Sequence, residues 1–167
     1  RTLESIECFD KVIESDPKNI DTLLNKGLAL DKEGRNEEAI RCFNKILEID
    51  SKYADALTYK GSNLSQLGKH EEAIDLFDKV LEVNQKNSNA LYNKSIVLGR
   101  LGKNKDVIFY LDKALEEDSR ISQELYVEGA KLAKQKKYEE AIEFYTKALE
   151  INPKNLNALV AKGWTLD

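Results

Sequence analysis

Apolar residues in this chain fall three and four positions apart, not at every second position. In one stretch they are Leu23, Leu24, Leu28 and Leu30, and in the next Ile40, Phe43, Ile46, Leu47 and Ile49. That spacing gathers them on one side of an α-helix and argues against strands. Between the two stretches lies Glu33-Gly34-Arg35-Asn36. Gly34, Gly68 and Gly102 recur in such turns, where a residue just past a helix end takes positive φ. In the fourth turn Lys136 takes this place, which predicts local strain. Acidic pairs then open the second helices: Glu37-Glu38, Glu71-Glu72 and Glu139-Glu140, suited to the positive end of the helix dipole.

The paired pattern repeats every 34 residues without insertion or deletion. One series runs Gly27, Gly61, Ser95, Gly129, Gly163, and another Ala39, Ala73, Val107, Ala141. A third is Phe9, Phe43, Phe77, Leu111, Tyr145. Lys11, Lys45, Lys79, Lys113 and Lys147 keep the same period, as do Glu14, Glu48, Glu82, Glu116 and Glu150. The glycine and alanine series predict two antiparallel helices approaching closely, with the aromatic series filling the gap between hairpins. Asp16-Pro17-Lys18-Asn19 and Asn152-Pro153-Lys154-Asn155 join successive units. There proline stops one helix and asparagine caps the next. No hairpin buries its apolar face alone, so the expected fold is all-α, with stacking supplying the core.

Composition adds constraints. The 167 residues are 41% hydrophobic and 34% charged, enough for a packed core with a solvated face on every element. A net charge of −4 lacks the basic field that nucleic-acid binding requires. No apolar stretch is long enough to span a bilayer, and no secretory leader opens the chain. Cys8 and Cys42 form no C-x-x-C and fall on equivalent faces of two hairpins. Both are expected to be free, buried thiols in a reducing, cytoplasmic setting.

Leu57-x2-Lys60-Gly61-x2-Leu64 followed by Ala73-x3-Phe77 resembles the tetratricopeptide repeat, and the resemblance extends over essentially the whole chain. Leucine stands throughout in place of the opening aromatic. Lys26, Lys60, Lys94, Lys162 or Glu128 replaces the leucine before the glycine. The resemblance implies a right-handed superhelical solenoid of antiparallel hairpins, about ten helices in all. Register divides it into a partial repeat at 1–19, full repeats at 20–53, 54–87, 88–121 and 122–155, and a truncated one at 156–167. An array that starts at Arg1 and stops at Asp167, both in mid-hairpin, reads as a piece of a longer one, and such ends can stack on neighbouring molecules.

In similar arrays the first helices line a concave groove that binds peptides or protein segments. By register the groove here presents Leu24, Asn25, Leu28, Thr58, Tyr59 and Ser62, then Asn89, Tyr92, Asn93 and Ile96, then Gln123, Tyr126, Val127 and Ala130. Tyr59, Tyr92 and Tyr126 offer the apolar body and polar tip that suit an interface, or else they pack between adjacent helices. Asn25 and Asn93 carry amides able to grip a peptide backbone, but Tyr59 and Val127 interrupt that ladder. A clamp for chaperone tails is not expected, since its sites hold Leu24, Leu28, Asn93, Gln123 and Val127. Trp164 falls in the groove series near the end of the chain.

Catalytic chemistry finds no support. His70 is the only histidine and has no metal-ligand spacing. No G-x-S-x-G or phosphate-binding loop occurs, and no cofactor or metal is expected. The reading is therefore a non-catalytic scaffold for a peptide or protein. The alternatives are a structural or self-assembly segment of a larger protein, or the regulatory arm of an enzyme. Unit 88–121 stands apart: Ser95 faces Val107, Leu111 replaces the aromatic, Glu117 stands where Ile49, Val83 and Ile151 stand elsewhere, and Ser119 replaces proline. Looser packing against the next hairpin is expected there.

Overall fold

The computed structural model describes the backbone of residues 2–166 and the side chains of residues 4–103 and 105–166. Arg1 and Asp167 lie outside the described residues. Among the described residues there are nine helices and no strands: α1 (Thr2–Ser15), α2 (Ile20–Lys32), α3 (Asn36–Ile49), α4 (Ala54–Gln66), α5 (His70–Val83), α6 (Ser88–Arg100), α7 (Asn104–Lys134), α8 (Tyr138–Ile151) and α9 (Leu156–Leu166). They form two compact units, 1–111 and 112–167, and the division falls inside α7.

The turns follow the local chemistry. Gly34, Gly68 and Gly102 have φ of 72°, 80° and 72°, and Lys136 adopts 63° in the same position. The Gly34 N–H donates to the Asp31 carbonyl at 2.9 Å and the Arg35 N–H to that of Leu30 at 2.9 Å, which satisfies carbonyls the helix end would otherwise leave free. In the links, Asp16, Asp50, Asn84 and Asn152 accept the N–H two residues on, from Lys18, Lys52, Lys86 and Lys154. Asn19, Asn87 and Asn155 then cap α2, α6 and α9 by accepting from Thr22, Ala90 and Ala158.

In the first unit, Leu23, Leu30, Ala39, Phe43 and Ile46 form one core cluster and Leu64, Ala73, Phe77, Val80 and Val97 a second. Phe43 and Phe77 are fully buried, each burial stabilising by about 1.5–3 kcal/mol. A Cβ at Gly27 would lie 2.5 Å from the Phe43 ring, and one at Gly61 would lie 2.7 Å from that of Phe77. The aromatic series therefore lies across the glycine of its own hairpin, which explains the glycine more directly than its alanine partner does. The second unit repeats the device with Gly129 and Tyr145, at 2.7 Å. Its core is leaner: Tyr145 with Ala141, Ala148 and Ala158. A buried polar link joins its helices, the Ser122 hydroxyl donating to the Ala148 carbonyl (2.7 Å) while the Asn155 amide donates to the Ser122 oxygen (2.9 Å).

The expected link at 118–121 does not form. Helix α7 runs for 31 residues, about 46 Å at 1.5 Å per residue, through what the repeat would make a second helix and the next first helix. That merger is why nine helices stand where about ten were expected. Three features explain it. Arg120 pairs with Glu117 at 2.9 Å and also with Glu124, so an i, i+3 and i, i+4 ladder bridges the site of the missing turn. Ile121 stands where Asn19, Asn87 and Asn155 cap helices elsewhere. Finally, Ala56, Ala90 and Ala158 are fully buried where first helices meet the preceding hairpin, whereas the equivalent Glu124 is exposed. A carboxylate cannot be buried in that contact without a partner.

The cysteines part company. Cys42 is buried as expected, whereas Cys8 is exposed.

Candidate functional site

In the first unit the first helices α2, α4 and α6 lie side by side, tied near their C-terminal ends. The Gln66 amide donates to the Asp31 carboxylate at 3.4 Å. Arg100 donates through Nη1 to the Ser65 carbonyl (3.0 Å) and hydroxyl (2.9 Å). His70 Nδ1 lies 3.4 Å from the same hydroxyl. This polar rail was not anticipated from the sequence; its signal was the run of polar residues one turn beyond the nominated groove positions.

The nominated residues separate by environment. Leu24 and Leu28 are half-buried, and Leu24 packs on the core, while Asn25 is exposed. Thr58 is a correction: it is buried and its hydroxyl donates to the Ala54 carbonyl at 2.8 Å, which removes it from the surface. Tyr59 is half-buried and stacks on Phe43, with centroids 5.8 Å apart and planes at 25°. Burial, followed by the Asp55 and Asp31 carboxylates, pushes its hydroxyl pKa up. Asn89 is exposed, and its carbonyl accepts from the Asn93 amide at 2.8 Å, so that amide is turned back along its own helix. Tyr92 is 50% exposed and Ile96 38% exposed. Ser62, Asn93 and Ile96 border a small recess between α4 and α6, together with Arg100.

The second unit contributes its own part of the series. Gln123 and Val127 are exposed and Ala130 is half-buried. Tyr126 is half-buried and leans on Tyr145, with centroids 6.1 Å apart. Trp164 is 80% exposed. Two of the three nominated tyrosines thus pack on an aromatic of a second helix, and Tyr92 is the one whose ring is largely open.

A lysine–aspartate ion pair recurs at two hairpin contacts. Lys26 of α2 pairs with Asp10 of α1, and Lys94 of α6 pairs with Asp78 of α5. Lys94 also donates to the Tyr110 hydroxyl at 3.0 Å and lies 4.4 Å from that ring's centroid. Burial works to lower its pKa, but the bonds to Asp78 and Tyr110 outweigh burial and raise it. At Lys26 and Lys94 the unorthodox lysine before the repeat glycine is therefore an interhelix contact.

Among the described residues no group of three or more His, Cys, Asp or Glu side chains is placed to hold a metal ion, and no helix is long and apolar enough to cross a membrane.

Stacked hairpins with this glycine, alanine and aromatic register define a helical-repeat protein. The family model for the tetratricopeptide repeat matches residues 18–86 and again 122–155, and the chain belongs to that family. The matches leave 87–121 between them, the stretch that runs into the continuous helix. No curated protein matches the chain. Among solved structures, MamA is 25% identical, with 89% of this chain and 87% of that one covered and a TM-score of 0.62. YrrB, a TPR protein with an unusual peptide-binding site, is 27% identical, with 96% and 82% covered and a TM-score of 0.59. TTC0263, a thermophilic TPR protein of Thermus thermophilus, shares the fold at 18% identity, with 96% and 88% covered and a TM-score of 0.64.

Proposed function

We propose that the chain is a non-catalytic scaffold that takes a peptide or extended protein segment on the face formed by α2, α4 and α6. Tetratricopeptide repeats serve generally as protein-interaction scaffolds, and the similar YrrB is a TPR protein with a peptide-binding site. The observation that carries the finer reading is the surface around Tyr92. Its half-exposed ring lies one helical turn from Ile96, which lines a recess edged by Ser62 and Asn93. An exposed aromatic anchor beside a partly polar recess is the usual make-up of an interface hot spot.

Tyr92→Ala is the discriminating variant, because Tyr59 and Tyr126 also support packing through Phe43 and Tyr145. Peptides selected from a displayed random library against the intact chain are expected to lose about tenfold in affinity for Tyr92→Ala, with the unfolding midpoint unchanged. Equal affinity for both proteins would favour the alternative, a structural or self-assembling segment that uses other surfaces.

A further inference from the structure

Within the first unit, Arg100 is a cation held in place without an anion. Arg35, Arg41 and Arg120 each pair with a carboxylate. The polar partners of Arg100 among the described residues are instead the neutral carbonyl and hydroxyl of Ser65, on the adjacent first helix α4. Both bonds are made by Nη1, at 3.0 and 2.9 Å. The other edge of the guanidinium, Nε with Nη2, keeps its N–H groups for a further acceptor. Arg35 uses that same edge to hold Glu38, at 2.6 and 2.7 Å. The shape on offer is therefore that of a bidentate carboxylate site. A freely solvated arginine would say little. This one is fastened to α4 at the wall of the recess that Ser62, Asn93 and Ile96 also line, so less side-chain freedom is left to lose on binding.

Charge and spacing along the face sharpen what fits there. Toward α2 the surface is acidic: burial raises the pKa of the Tyr59 hydroxyl first, and the Asp55 and Asp31 carboxylates raise it further. An incoming carboxylate is repelled at that side and attracted at Arg100, which gives a ligand its position on the face. Tyr92, Ile96 and Arg100 follow one another at i, i+4 and i+8 on α6, about 6 Å apart along its axis at each step. Alternate side chains of an extended segment point the same way and lie about 6.5 Å apart. A strand-like segment laid along α6 thus meets these three residues with every second side chain.

We propose that the bound segment runs extended along α6 and carries an aspartate or glutamate whose carboxylate takes the Nε–Nη2 edge of Arg100, with apolar side chains two and four positions away over Ile96 and Tyr92. The inference rests on the groove reading above and gives its ligand a class: a segment of alternating acidic and apolar residues. The carboxylate is that of a side chain within the segment.

A random decapeptide library, displayed ahead of a carrier so that no peptide C-terminus is free, is selected on the intact chain and separately on Arg100→Glu. Sequences from the intact chain are expected to carry an acidic residue two and four positions from apolar ones, and those from Arg100→Glu a basic residue in its place. Arg100→Gln keeps an amide N–H for the Ser65 carbonyl but removes the charge. It is expected to bind the peptides selected on the intact chain about tenfold more weakly, with an unchanged unfolding midpoint, and the difference is expected to shrink at high salt. Changing the acidic residue of such a peptide to its amide is expected to cost the intact chain the same factor and Arg100→Gln nothing further. Peptides that lose affinity for Tyr92→Ala yet show no acidic preference and bind Arg100→Gln unchanged would overturn this inference and leave the groove reading standing. Peptides indifferent to both Tyr92→Ala and Arg100→Gln would overturn both.

Discussion

Lys136 occupies a left-handed backbone site that glycine occupies in three equivalent turns. A side chain in that region costs about 1 kcal/mol or more. Lys136→Gly is therefore expected to raise stability by about 1 kcal/mol, read as a higher urea midpoint with unchanged slope. The repeat glycines behave in the opposite sense. Gly61→Ala places a methyl group 2.7 Å from Phe77 with the Ala73 carbonyl at 3.3 Å behind it, so a loss of about 1–3 kcal/mol is expected. Gly163→Ala meets nothing within 4 Å and is expected to be neutral or slightly stabilising by the same measurement. The two cysteines also separate at this scale. Cys8 is exposed, whereas burial hides Cys42 and pushes its thiol pKa up from 9.0. Since the thiolate is the reactive form, a colourimetric thiol reagent at neutral pH is expected to titrate one cysteine quickly and the second only on unfolding.

At the scale of elements, most of the architecture was written in the spacing of apolar residues and in the turn chemistry. The glycine turns, the asparagine caps and the acidic first turns formed where the register placed them, because each depends on a few adjacent residues. The link at 118–121 did not, although Glu117, Ser119 and the departures at Ser95, Val107 and Leu111 had marked that region as unusual. Part of the reason is Glu124, whose meaning lies in what it would touch on another helix, and periodicity alone does not reveal that. The same limit applied to the groove. Thr58 was placed on it by register but turned inward to its own backbone, and Tyr59 and Tyr126 found aromatic neighbours. Proline tests the element assignment directly. Position 17 and position 153 are proline in regular links, and Ser51 is the equivalent residue between α3 and α4. Ser51→Pro is expected to be tolerated. Ser119→Pro falls inside α7 and is expected to cost about 3 kcal/mol, together with a loss of helical circular dichroism.

For the whole molecule, the consequence of α7 is an uneven distribution of stability. Between residues 108 and 128 only Ala114 and Ser122 are buried, whereas the 13-residue α4 has seven buried residues. The Glu117–Arg120–Glu124 ladder is surface-exposed on most of its members and contributes little. A helix of that length without tertiary support is marginal in water, so its middle opens more cheaply than either packed unit. Opening does not lead to a folded-back hairpin, because Glu124 and Glu128 would still have to enter a contact that accepts alanine and lysine elsewhere. Native-state hydrogen exchange is therefore expected to show amides at 115–121 exchanging through a local process, at rates well above those of α4 and independent of low denaturant concentrations. Glu124→Ala combined with Glu128→Lys removes the barrier to folding back. In that variant, spin labels at positions 113 and 131, about 27 Å apart along a continuous helix, are expected to show a second, shorter distance. A single distance near 27 Å would mean that the ion-pair ladder and the uncapped Ile121, rather than the two glutamates, keep α7 in one piece.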